Sequence, residues 1–155
     1  MILAVDPGTL KSAYVLYDEK AKSITACGIE NNIEMLMLLQ RAGSEPMLVI
    51  EMVASYGMSV GASVFDTCVW TGRFIQAYRG KHRRMFRRDV KLYLCNSAKA
   101  KDGNVRQALI DRFPATGGGK TPQVGTKSQP GPLYGVSKDI WSALGVAVTY
   151  AGTQT

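Results

Sequence analysis

Three carboxylates stand where the pattern of the chain would bring them together. Asp6 follows the unbroken apolar run 1–5 and precedes Pro7 and Gly8; Glu51 lies near the far end of a second apolar run, 46–53; Asp139 opens a closing stretch with apolar residues at helical spacing. An acid at the end of a buried strand is held by rigid backbone, and an acid inside an apolar run needs a partner or a task. Clustered carboxylates repel one another, and a hard divalent cation is their natural compensation. Phosphodiester cleavage uses such a set to hold two Mg²⁺ ions about 4 Å apart across the scissile phosphate. Taken singly, each acid reads as a turn former, a salt-bridge partner or a helix cap. The joint pattern favours a metal-dependent hydrolytic site.

The elements that must position these acids follow from the hydrophobic pattern. Residues 1–5 are apolar throughout, which suits a central strand covered on both faces. Pro7 and Gly8 force a turn, 13–17 returns as a hairpin partner, and 23–29 adds a third strand, giving an antiparallel meander. Asn31 and Glu34 make a capping pattern ahead of a helix that runs to Ala42 and is closed by Gly43. The run 46–53 is a buried strand. A Gly-containing loop, 54–61, carries the aromatic Tyr56, and a long helix follows over 62–78. Its apolar residues Val64, Phe65, Cys68, Val69, Trp70, Phe74 and Ile75 cover most of the circumference, more than one small sheet can hide, which suggests either a subunit interface as well as a core contact or a helix thoroughly buried in a small protein.

Residues 79–91 concentrate Arg79, Lys81, Arg83, Arg84, Arg87, Arg88 and Lys91 against Asp89 alone. Interleaved Met85, Phe86 and Val90 indicate a folded segment, a short strand and then a short helix. Ordered cations of one sign repel unless a polyanion lies opposite, so nucleic acid is the expected partner. His82 lies inside this run and has no catalytic partner in sequence. An amphipathic helix is expected over 104–113. Residues 114–136 are rich in Gly, Pro, Thr and Ser with little to bury, the composition of a flexible surface loop. The last helix should begin near Ser137 as its cap, with Asp139 in its first turn, aimed toward the strand ends. The order describes one α/β domain over 1–155, a mixed sheet with helices on both faces.

Bulk properties agree with this reading. The 155 residues allow one full core, and the net charge of +7 calls for a polyanionic partner. No apolar run has the length of a membrane helix, and the start of the chain lacks a signal-peptide pattern, so a cytoplasmic protein is expected. Cys27, Cys68 and Cys95 are odd in number and outside metal-ligand spacing, as for reduced core thiols. Two motifs are set aside. The stretch 114–121, PATGGGKT, has Pro114 where a phosphate-binding loop needs its first Gly, and it follows a helix instead of a strand. The DPGT opening resembles the phosphate hairpin of actin-like and sugar-kinase proteins, but those folds need two domains, so no ATP is expected.

Four blocks in order carry a resemblance over nearly the whole chain: IxxxDPG with its hairpin, VIEMV in a buried strand, AKDGNVRQALIDRF, and KDIWSALGVAVTYA in the last helix. Together they resemble the RuvC-like Holliday-junction resolvases of the RNase H superfamily, nearest to their bacteriophage-type members. The resemblance implies an RNase H-like mixed sheet and a homodimeric, Mg²⁺-dependent endonuclease, with Mn²⁺ able to substitute and two ions per site. Such an enzyme nicks two strands of a four-way DNA junction symmetrically, in recombination and repair. It implies that Asp6, Glu51 and Asp139 are the catalytic metal ligands. In bacterial members the last helix carries acid-x-x-Asp, and the second position here is Ser142. Either Asp139 serves both roles, or Asp102 supplies the missing oxygen as a metal ligand, or the chain binds junctions better than it cuts them. The implied DNA contacts are Lys99 or Lys101 near the scissile region, Tyr56 stacking at the crossover, and the 79–91 cations with Arg106 and Arg112 on the arms. The alternatives are another RNase H-like nuclease acting on branched DNA or RNA, and a non-catalytic junction-binding protein.

Overall fold

A computed structural model describes residues 1–154. Five strands form one mixed sheet: β1 (Ile2–Asp6), β2 (Lys11–Asp18), β3 (Ser23–Asn31), β4 (Met47–Met52) and β5 (His82–Phe86), in spatial order β3-β2-β1-β4-β5. The first three pair antiparallel as the expected meander, whereas β1, β4 and β5 run parallel. The central strand β1 has its four apolar residues buried, in keeping with its unbroken pattern.

The helices are α1 (Asn32–Arg41), α2 (Ala62–Ala77), α3 (Arg87–Cys95), α4 (Asp102–Ile110) and α5 (Ile140–Thr153). Strand alternation divides the core between two faces. Leu3, Val5, Leu48 and Ile50 pack with Met35, Leu39, Phe74 and Tyr78 under α1 and α2. Ile2, Ala4 and Val49 pack with Val90, Leu94, Val105, Leu109, Leu144 and Val148 under α3, α4 and α5. The last helix is apolar almost all round and has ten of its residues buried, because it lies across β1 and β2 with α3 and α4 outside it.

Several local expectations hold. Asn31 caps α1, its Oδ1 accepting from the Glu34 N–H at 3.0 Å. The basic run is a short strand followed directly by a short helix. Others do not hold. Ser137 does not cap α5: Asp139 occupies the N-cap position, in helical backbone, with no side-chain cap bond, after Lys138 at a φ of +47°. Helix α4 begins at Asp102 instead of Asn104, because Asn104 is its third residue and turns its Oδ1 back to accept from the Lys101 N–H. Within 114–136, Leu133 is fully buried and Val136 nearly so. Backbone bonds such as Gly117 N–H to Pro122 O, Gly118 N–H to Gln129 O and Leu133 N–H to Gln123 O fold this segment on itself. Its composition concealed two apolar anchors. The three cysteines are partly buried free thiols, not fully buried core residues.

Candidate active site

Strand parity settles which way the acids point. Asp6 shares the parity of Ile2 and Ala4, and Glu51 that of Val49, so both side chains rise from the α3–α4–α5 face of the sheet. Val5 pairs with Ile50 in the parallel β1–β4 ladder, which puts Asp6 beside Glu51 at the carboxyl ends of adjacent strands. Crevices at such strand ends are where open α/β sheets place their ligands.

The turn after Asp6 is fixed by a buried polar network that sequence reading missed. The Gly8 N–H donates to Ser12 Oγ at 3.2 Å, Ser12 Oγ donates to Asn32 Oδ1 at 2.7 Å, and Asn32 Nδ2 donates to Gly8 O at 2.9 Å. The turn is thereby tied to the head of α1. Gly8 is required in it, since a Cβ would stand 2.3 Å from Lys11 O.

Asp139, exposed at the start of α5, completes the cluster on the same face. Burial, then the neighbouring charges of Glu51 and Asp139, push the Asp6 carboxyl up to about 8. Burial likewise raises Glu51 to about 7, with Asp102 and Asp139 adding to the rise and Arg87 and Lys91 opposing it. The three acids are thus brought within electrostatic reach of one another, two of them nearly enclosed. Glu51 Oε2 is buried and receives no hydrogen bond. A buried oxygen in that state calls for a positive partner, and the Arg87 guanidinium stands 3.9 Å away.

Arg87, which the sequence placed only among the DNA-facing cations, enters this site. It is the first residue of α3, immediately beyond β5, and β5 lies parallel to the Glu51 strand. Its Nη1 lies 3.9 Å from Glu51 Oε2 and donates to Ser142 Oγ at 3.2 Å, while Nη2 donates to Asp102 Oδ1. Burial disfavours the Arg87 charge, but Glu51, Asp102 and Asp6 outweigh it and its pKa rises. The hydrogen bond from Arg87 holds Asp102 below the usual carboxylate range. Ser142 also faces Asp6, lowering its pKa by hydrogen bonding.

These residues can be weighed against a divalent metal. Among the described residues no group of three or more His, Cys, Asp or Glu stands close enough together to hold a metal ion as they are placed. The chemistry of the donor set nevertheless suits one hard cation, since the carboxyls of Asp6, Glu51 and Asp139 lie within electrostatic reach of one another and Glu51 Oε2 accepts no hydrogen bond. It is poorer for a second ion, because Ser142 is neutral and Asp102 is already engaged by Arg87.

The remaining candidates spread over the surface around this end. Arg79, Lys81, His82, Arg83, Arg84 and Arg88 are exposed, as are Lys99 and Lys101 between α3 and α4. Pairing Arg83 with Val49 and Arg84 with Ile50 sends them to opposite faces of the edge strand, Arg83 to the face of the acids. Arg106 stacks over Trp141 at 4.9 Å and Arg112 over Tyr93 at 5.6 Å. Tyr56 is 55% exposed at a φ of +47°, in the loop after β4.

No protein-family model and no curated protein matches the chain. Solved structures do match, among them "Thermus thermophilus RuvC structure", at a TM-score of 0.64 and 16% identity over 99% of this chain and 96% of that one, and "T. thermophilus RuvC in complex with Holliday junction substrate", at 0.66 and 14% over 99% and 93%. The chain has the RuvC fold. Near-complete coverage in both directions means that the RuvC architecture accounts for all five strands and five helices here, not for a fragment. At this identity RuvC and this chain share topology while most side chains differ.

Proposed function

We propose that the protein is a divalent-metal-dependent endonuclease that resolves four-way DNA junctions, acting as a homodimer in the cytoplasm, a bacterial host's if the chain is phage-encoded. The observation that carries the reading is the placing of Asp6 and Glu51 side by side on one face at the strand ends, with Asp139 in electrostatic reach and Glu51 Oε2 buried without a hydrogen bond. The RuvC fold supports the substrate class, since one of the matching structures is titled as a complex with a Holliday junction substrate. The basic edge beside the acids supports a polyanion as ligand.

Mg²⁺, with Mn²⁺ able to substitute, would be held by Asp6, Glu51 and Asp139 and would supply Lewis-acid activation of water and charge neutralisation. The chain does the rest. The water oxygen forms a bond to phosphorus, the bond from phosphorus to the 3′ oxygen breaks, and that oxygen leaves with the electron pair and takes a proton from solvent. The water loses its proton to a carboxylate or to solvent. Asp6 and Glu51, fixed by adjacent strands, set the position of attack. Exposed cations from Arg79 to Arg88, with Lys99, Lys101 and Arg106, hold the arms by phosphate contacts that read no sequence. Phe65 and Val69, 62% and 61% exposed one turn apart on α2, offer an apolar strip for a second copy of the chain.

A second reading, junction binding without turnover, is favoured by Arg87, which already partly neutralises the acids. Incubating a four-way junction, a fork, an RNA:DNA hybrid and a linear duplex with the protein and Mg²⁺ separates the readings. Paired nicks in the junction are expected. Tight junction binding without Mg²⁺-dependent cleavage would support the second reading, and preferential hybrid cleavage would point to a different nuclease.

A further inference from the structure

We propose that Arg87 supplies the second positive charge of this site, so that each protomer holds one divalent cation instead of the two that the resemblance implies. The inference rests on the hydrolytic reading above. It starts from where the guanidinium lies. Among the described residues, both side-chain ion pairs are made by Arg87, and both point into the acid cluster. Its half-buried fork spans Glu51, Ser142 and Asp102. These are the groups that a second ion would have to recruit: the shared Glu51, the position where a second helix acid is expected, and the carboxylate that could replace it.

Each of them is unsuited to an ion while Arg87 is there. A neutral hydroxyl is a weak ligand for a hard cation compared with a carboxylate, and Ser142 already accepts from the guanidinium. Asp102 is tied to Nη2. A divalent ion beside Glu51 Oε2 would meet a fixed like charge. Two features of this chain fit together: a neutral serine at 142, and an arginine from α3 in contact with it.

A guanidinium is always charged and presents a planar fork matched to phosphate, but it has no acceptor and cannot activate water as a metal does. The division of labour follows. Asp6 and Asp139 would hold the single ion, which would supply Lewis-acid activation of water, and Arg87 would neutralise charge gathering on the phosphate and the departing 3′ oxygen. Arg87 is therefore more than one of the cations that grip the arms.

Counting ions tests this without relying on turnover. The full-length protein is bound to a phosphorothioate-blocked four-way junction and titrated with Mn²⁺, followed by electron paramagnetic resonance with the junction-only signal subtracted. Two ions about 4 Å apart give a magnetically coupled spectrum, and one gives an isolated-ion spectrum. The parent is expected to bind one uncoupled ion per protomer, and the Arg87→Met/Ser142→Asp double variant two coupled ions. Arg87→Lys, which keeps the charge, should stay at one. Thermal melts confirm that each variant is folded, and the parent count stands even if the double variant is not. A coupled pair in the parent, or a single ion in a folded double variant, would overturn the proposal and leave the nuclease reading intact. No bound ion in the parent would remove both.

Discussion

The two charged regions of this molecule lie side by side and are built in opposite ways. At the ends of β1 and β4, Asp6 and Glu51 are nearly enclosed, and their carboxyls are pushed up to about 8 and about 7. On the neighbouring edge, Arg79, Lys81, Arg83, Arg84 and Arg88 stand in solvent, where screening makes their mutual repulsion cheap. Buried like charges are tolerable only with a counterion, whereas exposed ones wait for a ligand at little cost. On the proposed reading, the acids are a site for a small cation and the bases a surface for a large anion. Arg87 belongs to both, beginning in the basic run and ending against Glu51.

The contrast is broken most severely by removing a buried acid. Glu51→Gln should lower cleavage of a four-way junction by more than the ~100-fold that loss of an outer-shell partner costs a metal site. Junction affinity should be retained, as measured by gel shift without metal, since the variant loses an acid and not a cation. A matching loss of binding would mean that Glu51 organises the fold and not the chemistry.

Acidity gives the next largest effect. With folded pKa values raised above those of the unfolded chain, Asp6 and Glu51 keep protons in the folded state that the unfolded state has released. Stability of the metal-free protein should thus fall as pH rises from about 4 to about 8 and then level off. Added Mg²⁺ should stabilise the fold most at the alkaline end, where both acids are ionised. Melting curves across this range check the sign, and a metal-free protein that grows more stable through the window would refute the enclosed-acid picture.

Smaller effects sharpen the basic side. Arg83 shares the face of the acids and Arg84 does not. Arg83→Ala should lower the slope of log affinity against log salt by about 1, and Arg84→Ala by less. Equal slopes would mean that DNA wraps the strand edge instead of lying on the acid face. Tyr56→Ala should weaken binding to an open junction by about 1–3 kcal/mol if the ring stacks on a base, with no change for linear duplex. Calorimetry with both DNAs distinguishes the cases.

Much of the fold was legible because one period dominated each segment. The solid apolar run before Asp6 gave the central strand, and the interleaved Met85 and Val90 gave the β5–α3 pair. Asp6 and Glu51 were legible as neighbours for the same reason: acids at the ends of buried strands share a sheet edge when the strands are parallel. Arg87 was hidden among six other cations, since only the parallel placement of β5 beside β4 brings the residue after Phe86 up to Glu51. The Gly8–Ser12–Asn32 network reaches Asn32 across twenty and twenty-four positions and leaves no periodic trace. Leu133 and Val136 were overlooked because Gly and Pro set the tone of the surrounding sequence, yet the segment needs only those anchors to lie on the core.

The central claim, that Asp6, Glu51 and Asp139 together form a divalent-metal site for strand cleavage, is tested most directly by comparing Asp6→Asn with the parent on one labelled four-way junction, binding and Mg²⁺-dependent cleavage being measured on the same samples. The account predicts undiminished binding and no detectable nicking by the variant. Equal cleavage by the two proteins would contradict it.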